Sequence, residues 1–402
     1  MTPGPRELGS DDVIAAARAL APALKERAAE TDRTRRVPDA SFDAIQDAGL
    51  FHTLKPRRYG GFELGLYEYT QIGMELSRGC ASTGWIYSVL SEHCWFISMY
   101  PAEAQEEVWG ENSHAVAAGS LAANPAKSQV ARVSGGYRIS GRFGFASGSD
   151  HAQWLLLGAM VPPHSGDGPA EPHLLLVRKS ELEMIDDWFV LGLRGTGSNT
   201  YVASDVFVPA HRVMKRTDLY EARGEGIALH PAFDLLRAPR SQVAPFVNSA
   251  PTIGMALGAV DTFEDVARDL RRKSGRVAQS EAVKLALAES AAEADAARYM
   301  METDTRAVMR HARDAEPIPV ELQVRLTRDA AYVGRLARQC IDRLHGAVGA
   351  SGIFDTHPLQ RAMRDVHTAL AQASMHWESR AQAYADLSLG IKNSDELTGA
   401  LA

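Results

Sequence analysis

The apolar positions in the first 110 or so residues recur at intervals of three and four, which predicts amphipathic helices. Ser10, Asp11 and Asp12 precede the first run and can cap it, and Gly49 ends the second run. One run, STGWIYSVLSEHCWFISMY, is apolar nearly all round and predicts a buried helix. We therefore predict an N-terminal helical domain over residues 1–114. Its helical runs are VIAAARALAPALKERAAE, SFDAIQDAGLF, LYEYTQIGMELSR, the buried run and PAEAQEEVWG.

The spacing of apolar positions changes from about 3.6 residues to two in the middle of the chain. Residues 129–145 alternate apolar and polar positions around a Gly-Gly pair, which is typical of a β-hairpin. Clusters of Gly, Pro and Asp separate further strand-like runs, namely WLLLGAMV, HLLLVR and YVASDVFVP. This pattern predicts a small antiparallel β domain over residues 115–231.

The helical spacing returns after the β domain and persists to the end of the chain. Four long helices in succession predict an up-and-down four-helix bundle over residues 232–402. The predicted fold class is therefore α+β and mainly α, with helices, sheet and helices forming one catalytic unit. The predicted bundle helices span about 245–273, 279–313, 318–348 and 358–388.

Composition and charge restrict the class of protein. With 45% hydrophobic and 23% charged residues, the 402-residue chain has the composition of a globular protein. Its net charge of −7 excludes a global attraction to nucleic acid or to an anionic membrane surface. No stretch reaches the ~18 consecutive apolar residues of a membrane span. The three distant cysteines predict reduced thiols and a cytoplasmic protein; they are Cys80, Cys94 and Cys340.

Motifs for common cofactors and metals are weak in this sequence. The glycines of GLRGTGS, residues 192–198, lie between strands in the order GxxGxG, which favours a tight turn over a dinucleotide fingerprint. Any redox chemistry therefore needs electrons from a carrier that is bound elsewhere or made by another protein. Glu111 and His114 form a single ExxH pair, whereas a diiron bundle needs two, so we predict no metal site.

Individual polar residues leave two interpretations open. His93 lies on the apolar helix between Glu92 and Cys94, where it is either a satisfied core histidine or part of an apolar pocket. His367 and His376 are nine residues apart, which places them on roughly opposite sides of one continuous helix.

The order of helices, sheet and bundle, together with FASGSDHAQW and GLRGTGSNTYVASDVFVP, resembles the acyl-CoA dehydrogenase fold over nearly the whole chain. The commonest members of that family remove an α proton with a glutamate after the third bundle helix. The corresponding stretch, HGAVGASGIFDTHPLQRAMRDVHTALAQ, has no glutamate. The sequence is more similar to the two-component flavin-dependent monooxygenases that hydroxylate hydroxyphenylacetate, secosteroid phenols and aromatic natural products. The motifs that carry this similarity are SEHCWF, AAGSLAANP, FASGSDH, LRGTGS and HGAVGASG.

The resemblance implies an oxygenase component that uses reduced FAD or FMN and O2 to hydroxylate a small aromatic substrate through a flavin C4a-hydroperoxide. A separate NAD(P)H:flavin reductase supplies the reduced flavin, and the fold implies a homotetramer. Two alternatives compete with this interpretation. One is an acyl-CoA dehydrogenase or oxidase with bound FAD, and the other is a non-catalytic flavoprotein used for binding or assembly.

The resemblance also implies roles for individual residues. His93 and Ser120 match the positions that hold the substrate hydroxyl, and Ser147 matches the serine beside flavin N5. A histidine of the last helix assists proton transfer; we favour His367, with His376 as the alternative. The residues that either line the aromatic pocket or belong to the core are Trp85, Trp95 and Phe145. The further flavin contacts implied are Trp154, Arg194, Thr196, Ser198, Arg271, Gly346, Gly349 and Gly352.

Overall fold

The structure is a computed structural model that describes residues 9–163, 168–269, 271–272, 275–393 and 396, with only the backbone for 269, 271–272 and 275–277. Within these residues, helices precede and follow a middle region of strands, so the predicted fold is confirmed. The helices are α1 (Ser10–Thr34), α2 (Asp39–Asp47), α3 (Leu66–Gly79), α4 (Ala81–Ile97), α5 (Ala102–Trp109), α6 (Arg216–Tyr220), α7 (Arg240–Asp269), α8 (Glu281–Asp314), α9 (Val320–Val348), α10 (Pro358–Ala369) and α11 (Trp377–Ser388). The strands are β1 (Ala117–Ser120), β2 (Ser128–Val133), β3 (Gly136–Phe143), β4 (Trp154–Val161), β5 (Glu171–Arg178), β6 (Glu183–Ile185), β7 (Thr200–Pro209), β8 (Val213–Lys215), β9 (Arg271–Arg272) and β10 (Gly275–Arg276). The domain boundaries at residues 114 and 231 stay predictions.

The N-terminal helices follow the apolar spacing of the sequence. Helix α1 buries one face, whose residues are Val13, Ala17, Leu24, Ala28 and Thr31. Its cap lies one residue before the predicted one, because the Asp12 carboxylate accepts the N–H of Gly9 at 3.1 Å. Helix α4 is buried along nearly its whole length, as predicted from its continuous apolar run. It therefore serves as the core helix on which the N-terminal domain packs.

The described strands of the middle region form two four-stranded sheets, with strand orders β1-β4-β5-β8 and β2-β3-β7-β6. The predicted hairpin is present as β2 and β3, which pair in antiparallel fashion. The prediction that the domain is antiparallel throughout is wrong for one pair, because β1 and β4 are parallel. The chain leaves the first sheet after β1, forms the hairpin in the second sheet, and returns as β4, and such a crossover permits parallel pairing.

The bundle differs from the sequence prediction at its first and last helices. The first, α7, ends at Asp269 instead of 273 and is followed by the short β9–β10 pair. The predicted helix over 358–388 is wrong, because α10 and α11 are separate and a 3₁₀ turn at Ala373–Met375 lies between them. No Gly or Pro marks this break. Tertiary contacts accompany it instead: the Asn248 amide donates to the Ser374 hydroxyl at 2.9 Å.

Helix α7 is the central helix of the bundle and packs against α3, α4 and α9. Within the described residues, its segment Arg240–Arg268 is the one helix with the length and composition to cross a membrane. However, 83% of the apolar window of that segment is buried inside the protein. A buried core helix of a soluble protein has the same length and composition, so this helix is weak evidence for a membrane span.

Helix α10 connects the bundle to both other regions of the molecule. The Arg364 guanidinium forms an ion pair with Asp32 of α1 at 2.8 Å and donates to the Leu191 carbonyl, also at 2.8 Å. The neighbouring Asp365 carboxylate accepts the N–H of Leu193 at 2.6 Å. Leu193 has a positive φ of 51°, a conformation that is costly for a residue with a Cβ. The bond from Asp365 therefore holds a strained loop of the β domain in place.

The buried Asp365 makes stability depend on pH. Burial raises the pKa of Asp365 to about 6, while the Leu193 N–H and the guanidinium groups of Arg361 and Arg364 oppose this shift and Asp32 adds to it. The folded state therefore binds this proton more tightly than the unfolded state does. The contribution of the Asp365 side chain to stability is therefore largest at low pH and is lost as the pH rises through about 6.

We compare the free energy of unfolding of Asp365→Asn with that of the unsubstituted protein at pH 5 and at pH 8. We predict that this difference moves in favour of the variant by about 1 kcal/mol between pH 5 and pH 8. The amide oxygen still accepts the Leu193 N–H and carries no charge. Urea titrations followed by circular dichroism at both pH values measure the difference. Asp355→Asn, an exposed position near the start of the same helix, is the control. An Asp365→Asn difference that does not change with pH would contradict the prediction.

Candidate active site

A cavity of about 710 Å³ lies where α4, β1, α7, the loop between β6 and β7 and the segment after α10 meet. Its volume is in the upper part of the range of ligand sites, about 300–1,000 Å³. The wall is mostly apolar, with a small number of polar groups from each region. Those polar groups include Glu92, His93, Ser120, Ser147, Thr196 and Ser198. The cavity is therefore the candidate active site.

His93 presents a hydrogen-bond acceptor to this cavity. Its side chain is buried, and its Nδ1 lies 2.8 Å from the Ala117 carbonyl oxygen. Because a carbonyl only accepts, Nδ1 carries the proton and Nε2 keeps its lone pair. A Cβ at Gly119 would lie 3.1 Å from Nε2, so the glycine gives the imidazole its room. Burial lowers the pKa of His93 to about 4, and the ring is neutral at pH 7.

Ser120 lies one residue beyond Gly119, at the end of the short strand that also supplies the carbonyl bonded to His93. Its side chain is buried and lines the cavity. Among the described residues no group forms a hydrogen bond with its hydroxyl. Strand β1 thus brings the His93 acceptor and a hydroxyl able to donate or accept to the same wall. These are the two residues that the sequence assigned to the substrate hydroxyl, and that assignment stays a prediction.

A buried ion pair that the sequence reasoning missed lies next to His93. Glu92 is buried and lines the cavity, and its Oε1 is 3.2 Å from Nη2 of Arg240 at the start of α7. Burial raises the pKa of the Glu92 carboxyl, and the nearby Arg240 opposes that shift. Arg240 also donates to the Tyr220 hydroxyl at 3.1 Å. A glutamate in an otherwise apolar helix was the available signal, since a carboxylate is seldom fully buried without a partner.

Ser147, Ser198 and Thr196 form a row of hydroxyls along the wall of the cavity, which we call the hydroxyl row. Ser147 Oγ lies 2.7 Å from Ser198 Oγ, which in turn lies 2.7 Å from Thr196 Oγ1. Thr196 donates to the Leu193 carbonyl at 2.9 Å. The structure thus brings together Ser147, predicted beside flavin N5, and two of the other predicted flavin contacts.

The aromatic side chains predicted to line the pocket divide into two groups. Trp85 and Phe145 line the cavity, and Phe145 is 69% exposed with a positive φ of 62°. The Trp188 ring, which the sequence reasoning missed, also lines it and lies edge-on to Phe145 at 5.8 Å. Trp95 does not line the cavity, because it is fully buried against Phe96 at 5.5 Å. Trp95 is therefore a core residue.

Several predicted flavin contacts are not at this cavity. The Trp154 ring is covered by the guanidinium groups of Arg178 and Arg212, at 4.4 and 5.0 Å. Arg194 donates back to the Val190 carbonyl at 2.9 Å instead of lining the cavity. Three predicted glycine contacts lie at the end of α9 and in the turn after it, away from the cavity lining; they are Gly346, Gly349 and Gly352. The side chain of Arg271 lies outside the described residues.

The structure does not bring His367 or His376 to the cavity. His367 faces outward on α10, where its Nε2 lies 2.9 Å from Asp342. His376 is exposed just before α11. The prediction assumed one continuous helix, and the break after α10 changes which side chains reach the wall. Gln372 and Ser374, which lie in that break, line the cavity instead.

One cluster in the described residues has metal-ligand geometry: Glu103, Glu107 and His211. It lies at α5 and not at the cavity. Glu107 already pairs with the Arg212 guanidinium, which neutralises its charge, and its Oε1 lies 2.7 Å from His211 Nε2. Exposed acidic groups of this kind are common without a metal, and the cluster carries no metal assignment.

Comparison with known proteins identifies the family. Profiles described as the N-terminal and C-terminal domains of acyl-CoA dehydrogenase match residues 12–112 and 246–377. HsaA, a flavin-dependent monooxygenase oxygenase subunit from Rhodococcus jostii (strain RHA1), is 33% identical over 383 residues, 94% of this chain and 98% of that protein. The chain belongs to the flavin-dependent monooxygenase branch of the acyl-CoA dehydrogenase family. The resemblance inferred from the sequence motifs is confirmed.

Two further proteins extend the comparison of this monooxygenase. The oxygenase component of an FADH2-dependent resorcinol hydroxylase from Rhizobium sp. (strain MTP-10005) is 33% identical, covering 93% of each chain. The structure of XiaF from Streptomyces sp. in complex with FADH2 and glycerol superposes with a TM-score of 0.86 at 26% identity. That superposition covers 95% of this chain and 96% of XiaF.

We predict that the His93 ring of this monooxygenase stays neutral, with the proton on Nδ1, as the pH is lowered from 8 to 5. Burial sets its pKa at about 4, below the ordinary histidine value of about 6.5. Nitrogen-15 NMR of histidine-labelled protein measures the tautomer and the titration, and His93→Asn identifies the resonance. A titration midpoint near 6.5, or a proton on Nε2, would show that the acceptor assignment is wrong.

Proposed function

We propose that this chain is the oxygenase component of a two-component monooxygenase that hydroxylates a phenolic ring with reduced flavin and O2. The observation that carries the proposal is the neutral His93, whose Nε2 acceptor faces the same cavity as the hydroxyl row. The names of the relatives support it, since one is a resorcinol hydroxylase and HsaA is an oxygenase subunit. A separate NAD(P)H:flavin reductase is the proposed partner.

His93 and Ser120 bind and polarise the substrate hydroxyl. The phenolic O–H donates to His93 Nε2, and the Ser120 hydroxyl completes the hydrogen bonding of the same oxygen. This bond increases electron density on the ring carbons beside the hydroxyl, which favours attack by an electrophilic oxygen. Most of the surface area of the cavity is apolar, and His93 and Ser120 are themselves buried, which limits the access of water to these two groups.

The residues of the cavity fit a flavin. The hydroxyl row supplies hydrogen-bonding groups for a ring nitrogen, and Trp188 and Phe145 supply aromatic surface for a planar ring. When bound, reduced flavin would supply the two electrons that activate O2, so that one oxygen atom of O2 enters the ring and the other leaves as water. We propose FAD as the flavin, because the resorcinol hydroxylase is FADH2-dependent and XiaF was solved with FADH2. Reduced FMN is the alternative that the binding experiment below distinguishes.

The dehydrogenase alternative needs a carboxylate base in the cavity. Among the described residues that line it, the only acid is Glu92. The Glu92 carboxylate faces Arg240 at 3.2 Å. Burial raises the pKa of this carboxyl, but its pairing with the Arg240 guanidinium engages the carboxylate that a dehydrogenase would need free for the substrate. The names of the relatives also support hydroxylation and not thioester oxidation.

We also propose a cytoplasmic homotetramer. Large apolar side chains are exposed on the single chain, among them Phe189 at 71%, Ile353 at 70% and Phe354 at 63%. Exposed apolar groups of this size are typical of subunit contacts. The described cysteines are free and buried, which fits a reducing compartment. Light scattering after gel filtration should give the mass of four 43.6-kDa chains.

Reconstitution tests the function. The protein is mixed with a flavin reductase, NADH, FAD or FMN and a panel of phenols under ¹⁸O2. We expect a hydroxylated product that carries one ¹⁸O atom and appears only when protein and reductase are both present. Bound FAD that is reduced by an acyl thioester would favour the dehydrogenase instead. Flavin binding without product from any substrate class would favour the non-catalytic alternative.

We predict that His93→Asn lowers the ratio of product to oxidised NADH about tenfold or more, with hydrogen peroxide making up the difference. The Asn amide can keep the bond to the Ala117 carbonyl, but the substituted side chain has no acceptor at the Nε2 position. Product and peroxide assays measure the ratio. His173→Asn is the matched control, because His173 is also buried with Nδ1 bonded to a backbone carbonyl and lies away from the cavity. Normal coupling in His93→Asn would overturn the role of His93.

A further inference from the structure

The hydroxyl row ends on a group that cannot donate. Thr196 Oγ1 lies 2.9 Å from the Leu193 carbonyl oxygen, which only accepts hydrogen bonds. The bonds from Thr196 to Ser198 and from Ser198 to Ser147 are both 2.7 Å. All three hydroxyls are buried, with exposures of 2 to 9%. Since buried hydroxyls satisfy their bonds within the protein, the arrangement of protons along the row is constrained.

Counting protons fixes the direction of the row. Each hydroxyl carries one proton, and Thr196 uses its proton on the carbonyl. The Ser198 proton must then go to Thr196 Oγ1, and the Ser147 proton must go to Ser198 Oγ. Ser147 therefore has no proton left for the cavity and presents only lone pairs to it.

The carbonyl that sets this direction is firmly held. The Leu193 N–H is bonded to the buried Asp365 of α10 at 2.6 Å, and the Leu193 carbonyl also accepts the Trp188 indole N–H at 3.2 Å. The Thr196 backbone N–H donates to the same oxygen at 3.2 Å. Rotation of the peptide between Leu193 and Arg194 would break the three hydrogen bonds to this oxygen, and the bond from the Leu193 N–H to Asp365 holds the preceding peptide. The direction of the row is therefore a property of the fold and not of one mobile side chain.

We propose that the hydroxyl row makes Ser147 a hydrogen-bond acceptor and thereby selects reduced over oxidised flavin, with Ser198 and Thr196 as the positioning residues. N5 of reduced flavin carries a hydrogen and donates, whereas N5 of oxidised flavin carries a lone pair and needs a donor. The inference rests on the proposed function, in which Ser147 faces flavin N5. Thr196 then takes part in recognising the redox state of the flavin, although it acts only through Ser198.

Thr196→Val tests the inference because valine has nearly the same shape and no hydroxyl. Without the Thr196 acceptor, Ser198 and Ser147 can reverse, and Ser147 can donate to oxidised flavin. Dissociation constants for reduced and oxidised FAD, and for both forms of FMN, are measured by fluorescence, the reduced forms without oxygen. We expect the ratio of the oxidised to the reduced constant to fall about five- to tenfold. A tenfold fall lowers the two-electron potential of the bound flavin by about 30 mV.

Thr196→Ser is the matched control, since it restores the hydroxyl and should keep the ratio of the unsubstituted protein. Ser198→Ala breaks the row at a second point and should also lower the ratio, which decides the matter if Thr196→Val does not fold. Equal changes in both constants, or an unchanged ratio in either folded variant, would overturn the inference even if hydroxylation continues. Failure of the unsubstituted protein to bind any flavin would instead count against the proposed function.

Discussion

The hydrogen bond from the Leu193 N–H to Asp365 is the contact on which the organisation of the cavity depends. It joins the bundle to the β domain at 2.6 Å, and the adjacent Arg364 pairs with Asp32 of the N-terminal domain. One turn of α10 thus joins all three regions. The bond also helps to hold Leu193, whose carbonyl accepts from Thr196 and sets the direction of the hydroxyl row. The unfavourable burial of this carboxylate is the cost of a fixed cavity wall.

The cavity combines charged and neutral polar groups by burying each with a specific partner. His93 is neutral because burial disfavours its charged form, and the hydrogen bond to the Ala117 carbonyl keeps its one ring proton on Nδ1. Glu92, the next residue, faces Arg240 across the junction of α4 and α7. The result is a wall with a neutral acceptor beside an ion pair of no net charge. Such a wall suits an uncharged phenol, whose hydroxyl needs an acceptor and not a counter-ion.

Sequence reasoning predicted the fold well because its helices are long and strongly periodic. The continuous apolar run of α4 predicted a buried helix, and the Gly-Gly pair predicted the β2–β3 hairpin. Three residues that the motifs singled out, His93, Ser120 and Ser147, line one cavity. The last-helix histidines were predicted on the assumption of one continuous helix. The chain instead breaks after α10, at a point where tertiary contacts are present but no Gly or Pro marks the break in the sequence. Trp188 and Arg240 were missed because a contact across domains leaves no local pattern.

The break between α10 and α11 also affects how this wall can vary. In a continuous helix, insertion or deletion of one residue rotates everything beyond it by about 100°, which would disrupt the packing of the following turns. Gln372 and Ser374 lie on an irregular segment between two separately anchored helices. A change in length there is absorbed locally. A change in the length of this segment can therefore alter the cavity wall while the helices of the bundle keep their register.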